Sequence, residues 1–328
     1  MNVLVTGGAG YIGSHAVRHL RKAGARVAVV DNLGQGHRAS LPPDVPFFEV
    51  DLRQTDRIRE ILAAERIDCV MHFAALAAVA ESVAEPLLYY SNNVSGTVSL
   101  LDAMKSVGVR RIVFSSTCAV IGIPSVLPIV ETSPREPINP YGRSKLMVEH
   151  VLRDWFEADP EFSAVALRYF NVAGCSADGS IGEDHDPETH LIPILLQVAL
   201  GQRPQVTLFG RDYPTTDGTC IRDYVHVDDL CQAHVLALKA IQPGMAVYNV
   251  GIGRGYSVQE VLAAARVVTG HPIPAQFGPR RPGDPPALFA DSSKIRSELS
   301  WEPEFTKLEP IIETAWRWFR AHPSGYAD

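Results

Sequence analysis

Short apolar runs and segments of helical periodicity alternate along the first half of the chain. Residues 3–6 are a brief apolar run of the kind that buries as a strand, and glycines follow it. Apolar positions at helical spacing then extend from 11 to 23. Residues 27–30 and 47–50 read as the second and third strands, and a helix over 55–65 leads into a strand over 69–73. A long helical stretch, 86–107, precedes a strand at 111–115. The helix carrying Tyr141 extends to about 157, and a strand over 164–169 follows. Alternation of this kind predicts an α/β fold with a doubly wound parallel sheet and right-handed crossovers.

The rhythm changes after Asn171. Gly and Pro become frequent, and irregular segments appear at 175–188 and 210–222. Long loops in a compact protein are usually functional or mobile. The expected division is a nucleotide-binding domain over 1–170 and a smaller C-terminal substrate-binding domain over 171–328, with 224–250 returning to the first domain.

Composition narrows the class of ligand. The 328 residues are 46% hydrophobic and 20% charged, as in ordinary globular proteins, and the net charge is −7. No basic arm or stripe is present, which argues against nucleic acid as a partner. Five scattered cysteines without a Cys-x-x-Cys pair predict reduced thiols and a cytoplasmic location. The longest apolar stretch, near 69–80, is too short to span a bilayer, so no membrane association is expected. The histidines lack His-Glu-x-x-His spacing, so no metal is expected.

Residues 6–13 read Thr-Gly-Gly-Ala-Gly-Tyr-Ile-Gly between the first strand and first helix. Gly7, Gly10 and Gly13 permit a tight turn, a close approach to a pyrophosphate, and close packing of helix on strand. Tyr11 and Ile12 lie in the helix N-terminus that offers N–H donors to the phosphates. Asp31 closes the second strand 18 residues after Gly13. A carboxylate there accepts from ribose hydroxyls and repels a 2′-phosphate, which favours NAD over NADP. Asp51 ends the third strand and is either an adenine contact or a helix N-cap. A second glycine cluster at 251–255 leads into a Ser257-x-x-Glu260 capping box and reads as a turn. Tyr141 and Lys145 lie one helical turn apart. A cation beside a phenol lowers its pKa, giving a base for an alcohol proton near neutral pH.

With both motifs present, the chain resembles the extended short-chain dehydrogenase/reductase family, and within it the UDP-sugar 4-epimerase branch. Matching stretches are VLVTGGAGYIGSH, VVDNL, HFAALAAVAESV, NNVSGT, FSST, PYGRSKLMVE, LRYFNVAG, FGRDYPTTDGTCIRDYVHV, YNVG and PRRPGD. The resemblance implies a Rossmann-type domain and reversible inversion at C4 of UDP-glucose and UDP-galactose through a 4-keto intermediate. It implies Tyr141 as base, Lys145 on the nicotinamide ribose, and Thr117 on the reacting sugar oxygen. By the same resemblance Asn32, Leu52, Phe73, Ala74, Ala75, Asn92, Ser115 and Phe170 join the cofactor set. For Phe73 and Phe170 a core role is equally open.

On the substrate side the resemblance implies Asn171, His190, Leu191, Thr207, Phe209, Arg222, Arg281, Asp284 and Leu288. Arginine forks suit diphosphate oxygens. Thr117 is followed by Cys118 and Ala119, so the acidic pair of the family's dehydratases is missing, as is the decarboxylases' glutamate. A non-catalytic NAD-sensing regulator, the reading from another class, conflicts with the presence of both Tyr141 and Lys145. Ala77 stands where a cofactor-binding lysine is usual, Ile121 replaces a tyrosine, and Ala75 replaces a glycine. Leu288 occupies a position that guards the sugar pocket and, being smaller than tyrosine, leaves room for an N-acetyl group. Epimerisation of a UDP-N-acetylhexosamine or a UDP-pentose is therefore the alternative. The family pairs helices 86–107 and 141–157 into a homodimer. Met147, Val148, Val151, Leu152, Trp155 and Phe156 suit that interface, and burial against the sheet explains several of them equally well.

Overall fold

The structure, a computed structural model, describes residues 1–281 and 284–327. Pro282 and Gly283, within the PRRPGD stretch, and Asp328 lie outside the described residues. Seven parallel strands form the main sheet in the order Gly244–Val250, Ser163–Tyr169, Arg111–Thr117, Cys69–His72, Asn2–Thr6, Arg26–Asp31 and Phe47–Glu49. The central strands are buried on both faces, as their continuous apolar runs require. One face is packed around Val3, Val5, Val17, Leu20 and Leu230, the other around Leu4, Ile58, Leu100, Ile112 and Leu152. The chain winds outward in one direction from Asn2–Thr6 through Phe47–Glu49. It then restarts at Cys69–His72 and winds the other way. That reversal leaves a crevice beyond the C-terminal ends of Asn2–Thr6 and Cys69–His72, where ligands of such sheets bind.

Of the span 224–250, Gly244–Val250 joins the main sheet beside Ser163–Tyr169, and Val227–Ala240 contributes Leu230, Ala233 and Ala237 to its core. Residues 224–226 instead complete strand Ile221–His226 of a smaller sheet, paired with Asn171–Ala173, Ala287–Leu288 and Gly255–Ser257. A separate apolar core around Leu195, Ile311, Ile312 and Trp318 supports this part.

The stretch expected as one helix over 86–107 is interrupted. Pro86–Tyr89 and Gly96–Ser106 are α-helical, but Tyr90–Ser95 between them is a π-helical turn. Such turns reorient side chains and concentrate at functional sites. The Tyr141 helix, Pro140–Ala158, starts on Asn139, whose Oδ1 accepts the Gly142 N–H at 2.8 Å.

Candidate functional site

The glycine turn is built by close approach. Gly7 has φ +68°, and a Cβ there would fall 2.5 Å from the Ala74 nitrogen, on the loop after Cys69–His72. A Cβ on Gly13 would fall 2.0 Å from the Gly7 carbonyl oxygen. Gly10 is the N-cap of helix Tyr11–Lys22, and no side chain caps it. The first-turn N–H groups around Tyr11 and Ile12 therefore lack intrahelical partners and face the crevice. An uncapped helix end at a cradle that any side chain would fill fits a pyrophosphate.

The Asp31 carboxylate accepts the N–H groups of Ala9 and Leu33, each at 2.9 Å. It ties the glycine loop to the strand end, a role that the sequence reading did not assign to it. Burial raises its pKa, and the backbone N–H groups of Leu33 and Ala9 oppose that. Asp51 does not cap the next helix: its Oδ1 accepts the Arg53 N–H at 2.9 Å, and the N-cap is Gln54. The Arg53 side chain, with the Asn32 side chain also bonded to it, holds the Asp51 carboxyl down to about 2. Leu52 is buried in the core and Phe73 packs on His234, with ring centroids 4.7 Å apart. The Phe73 and Ala74 N–H groups both bond the Thr6 carbonyl, which sets Ala74 and Ala75 beside the glycine turn. Ala77 is exposed and brings no cation to the crevice.

Thr117 ends strand Arg111–Thr117; its hydroxyl accepts the Ala119 N–H at 3.1 Å and lies close enough to the Tyr141 phenol to lower its pKa. Lys145 is 3% exposed; its Nζ donates to the Ser115 carbonyl at 2.9 Å and lies 5.0 Å from the Phe114 ring centroid. The pKa expectation from sequence is overturned here. Burial pushes Tyr141 up to about 12, against the neighbouring Thr117 hydroxyl that lowers it, and Lys145 down to about 7. Both groups are desolvated, and desolvation disfavours each charged form more strongly than spacing along the helix can offset.

Residues that the sequence reading missed support this pair. Glu149 lies one further turn along the Tyr141–Lys145 face and is buried with Arg168 in a two-pronged ion pair (Nε–Oε1 2.9 Å, Nη2–Oε2 2.6 Å). Ser116, next to Thr117, donates to the same carboxylate at 2.6 Å. Asn93, on the π-turn beside Asn92, bonds both polar groups of the Leu76 backbone and the Ser144 hydroxyl. The Ser115 hydroxyl bonds the Tyr169 phenol. The only sequence signal for these is a polar residue inside an otherwise apolar strand or helix face.

The substrate-side residues lie on several separate elements. Arg222 pairs with Asp284, and its charge reaches Cys118 beside Thr117. Arg281 stacks over Phe209 at 4.2 Å, with Thr207 two residues earlier on the same strand, Val206–Phe209. Arg280 turns away to Asp212 and Tyr213. Phe170 and Leu288 pack with Val120, Ile121 and Ile129 in one small apolar cluster, so both side chains have core roles here. His190 is the N-cap residue of helix Leu191–Ala199, and no side-chain bond caps that end. Asn171 begins the strand paired with Ile221–His226. The second glycine cluster carries no ligand geometry: the Ile252 and Gly253 N–H groups are taken by the buried Asp223 carboxylate at 2.9 and 3.1 Å. Both halves of the Ser257–Glu260 capping box are present.

A sequence model of the NAD dependent epimerase/dehydratase family matches residues 3–251. The chain is similar to the UDP-glucose 4-epimerase of Lactobacillus helveticus, 52% identical over 330 residues that take in 100% of each chain. It is 50% identical to that of Lacticaseibacillus casei over 330 residues, 100% of this chain and 99% of the other. Among solved structures it is similar to the UDP-glucose 4-epimerase from Bifidobacterium longum in complex with NAD+ and UDP. That match has a TM-score of 0.96 and 42% identity, covering 99% of this chain and 100% of that one.

Proposed function

The chain belongs to the NAD dependent epimerase/dehydratase family, and on that premise we propose that it interconverts UDP-glucose and UDP-galactose at C4 of the sugar. One observation carries the choice within the family. The Thr117–Tyr141 hydroxyl pair and Lys145 stand beside the crevice, while Cys118 and Ala119 occupy the positions where elimination of water would need an acid and a base.

NAD, when bound, supplies a hydride acceptor that later returns the hydride. Tyr141 removes the 4-hydroxyl proton, with Thr117 holding the same sugar oxygen. The proton goes back to the 4-keto oxygen after the sugar has presented its other face, so no net oxidation results. Burial keeps Tyr141 protonated in the free chain, and a cation is needed nearby for the phenolate to form. Lys145 offers one from the next turn of the same helix. Arg222, Arg281 and the uncapped helix start at Leu191 hold the UDP portion. Binding energy gained there, remote from C4, leaves the sugar free to turn. Burial of Leu288 and Phe170 gives the sugar pocket an apolar wall, and a leucine rather than a tyrosine at that position favours tolerance of an N-acetyl group.

Purified protein given UDP-galactose and no added NAD is expected to form UDP-glucose catalytically. A requirement for added NAD in proportion to product would sink this reading.

The division into a nucleotide-binding part over 1–170 and a substrate-binding part over 171–328 belongs to the same proposal. Five thiols without a disulfide suit the reducing cytoplasm. No helix among the described residues is long and apolar enough to cross a membrane. The partner proposed is a second copy. Val79, Val83, Leu87, Leu88, Val98 and Met147 are exposed on neighbouring helices, with Leu87 81% exposed. Val148, Val151, Leu152, Trp155 and Phe156 pack against the sheet instead. A monomer in sedimentation equilibrium would overturn the dimer.

A further inference from the structure

Segment 183–190 turns four side chains toward one point outside the Tyr141 site. Glu183, His185, Glu188 and His190 place their ligand atoms within 4.8 Å of one another. Their sequence spacing, Glu-x-His-x-x-Glu-x-His, differs from the helical His-Glu-x-x-His pattern, because here a loop brings the groups together.

Three observations distinguish this cluster from a solvated acidic patch. Glu183 and Glu188 are 4% and 7% exposed, and two carboxylates side by side in a poorly hydrated setting require a compensating cation. Two of the four imidazole–carboxylate approaches, those of His185, match the donor spacing of a tetrahedral ion, while the two made by His190 are hydrogen-bond length and would open slightly around one. His190 Nδ1 is 3.1 Å from Glu183 Oε1 and 2.9 Å from Glu188 Oε1, while His185 Nδ1 is 3.4 Å from Glu183 Oε1 and 3.6 Å from Glu188 Oε2. A tetrahedral ion with bonds of about 2.0–2.2 Å has donor–donor edges of roughly 3.3–3.6 Å. His185 Nδ1 is buried against both carboxylates without meeting hydrogen-bond geometry to either.

The arrangement also has an outer shell and an entrance. The Thr189 and His190 N–H groups donate to Glu188 Oε1 at 2.6 and 2.7 Å and fix that carboxylate. A cleft of about 390 Å³ reaches His185 and Glu188 from solvent, beside Asp184, Asp186, Gln202 and His322. The Tyr11 ring, on the helix after the glycine turn, meets the His185 ring edge-on with centroids 6.3 Å apart.

We propose that Glu183, His185, Glu188 and His190 bind one divalent transition-metal ion of the zinc class. Two imidazoles and two carboxylates fill four positions, which is the closed set of a structural site. The ion fixes segment 183–190 and the start of helix Leu191–Ala199 against the helix of the glycine turn. The site borders the proposed UDP-holding helix start through His190, and metal binding is read out separately from turnover.

The test strips the purified full-length protein with a chelator and titrates it with Zn2+ against a chromophoric competitor. One equivalent is expected to bind saturably and to raise the melting temperature. The single variants His185→Gln and Glu188→Gln are each expected to weaken binding about tenfold or more and to lose the melting response. Failure of stripped wild-type protein to take up Zn2+ saturably overturns the proposal, whatever the folding of the variants. Wild-type affinity in both variants, or a preference for Mg2+ over Zn2+, overturns it as well. The first outcome would leave the two histidines as protonated partners of the carboxylates.

Discussion

The Thr117 hydroxyl stands near the Tyr141 phenol and opposes the rise that burial imposes on its pKa, where the end of strand Arg111–Thr117 meets the first turn of helix Pro140–Ala158. Removing the phenolic oxygen with Tyr141→Phe is expected to lower kcat by roughly 10²–10⁴-fold, the usual contribution of a general base. Thr117→Val should lower it by about 10²-fold, and Thr117→Ser should retain most activity, because the hydroxyl rather than the methyl group is used. Initial rates with UDP-galactose check this. A Tyr141→Phe protein that is well folded and nearly fully active removes Tyr141 from the reaction.

Lys145 has a folded pKa of about 7 against an ordinary 10.5, because burial opposes the ammonium. The folded state thus binds this proton less readily than the unfolded chain. The associated stability is complete above pH 10.5 and is lost progressively as the pH falls to 7. Lys145→Met should therefore be most stabilised relative to wild type below pH 7, with the difference shrinking toward pH 10.5, while turnover falls. Urea unfolding of both proteins between pH 6.5 and 10 measures the difference. A gap that is flat with pH contradicts the burial account.

Much of this was legible from the chain. Periodicity marks six of the seven main strands, since parallel strands buried on both faces leave unbroken apolar runs, while the seventh, Gly244–Val250, is legible only as part of a returning segment. Gly7 and Gly13 announce their turn because only glycine fits beside the Ala74 backbone and the Gly7 carbonyl, whereas a Cβ at Gly10 would have room. What sequence conceals depends on contacts between distant segments. Asp51 has the residue type of an N-cap, yet Arg53 claims its carboxylate. Spacing places Lys145 beside Tyr141 but says nothing of the desolvation that reverses the expected phenol shift. The π-turn at Tyr90–Ser95 keeps helical apolar spacing on both sides and so leaves no break in the pattern. Glu183 to His190 come together only through a loop.

Asp31 is expected to serve two functions at once, binding the ribose and holding the Ala9 and Leu33 N–H groups. Asp31→Ser should weaken NAD retention about 10–100-fold, from the ~1.5–3 kcal/mol that a hydrogen bond to a charged group contributes. Loss of the carboxylate should also narrow the preference over NADP. Dinucleotide carried through purification, released by acid and quantified, reports the first effect. Undiminished retention would assign Asp31 to loop structure alone.

Leu288 lies 8% exposed against the cluster that holds Phe170 and Ile121. A tyrosine in its place adds a ring and a hydroxyl, so Leu288→Tyr should depress turnover of UDP-N-acetylglucosamine more than that of UDP-galactose. Paired kcat/KM values for the two substrates provide the check. Equal losses on both would mean general overpacking of the cluster, and no wild-type turnover of the N-acetyl sugar beside brisk UDP-galactose turnover would refute the roomier pocket.

Glu149 extends the Tyr141–Lys145 face one turn deeper, where Arg168 and Ser116 meet its carboxylate. Breaking a buried pair leaves the other charge without a partner, at a cost of about 3–5 kcal/mol. Glu149→Ala should therefore be strongly destabilised. Replacing both members, as in Glu149→Leu with Arg168→Met, should recover much of that loss because neither charge then remains buried. Catalysis separates support of the site from support of the fold. Ser116 precedes Thr117, so loss of its anchor shifts the Thr117 hydroxyl. The double variant is accordingly expected to regain stability and still show reduced kcat with KM little changed. Full recovery of kcat along with stability would confine the Glu149–Arg168 pair to holding the sheet together.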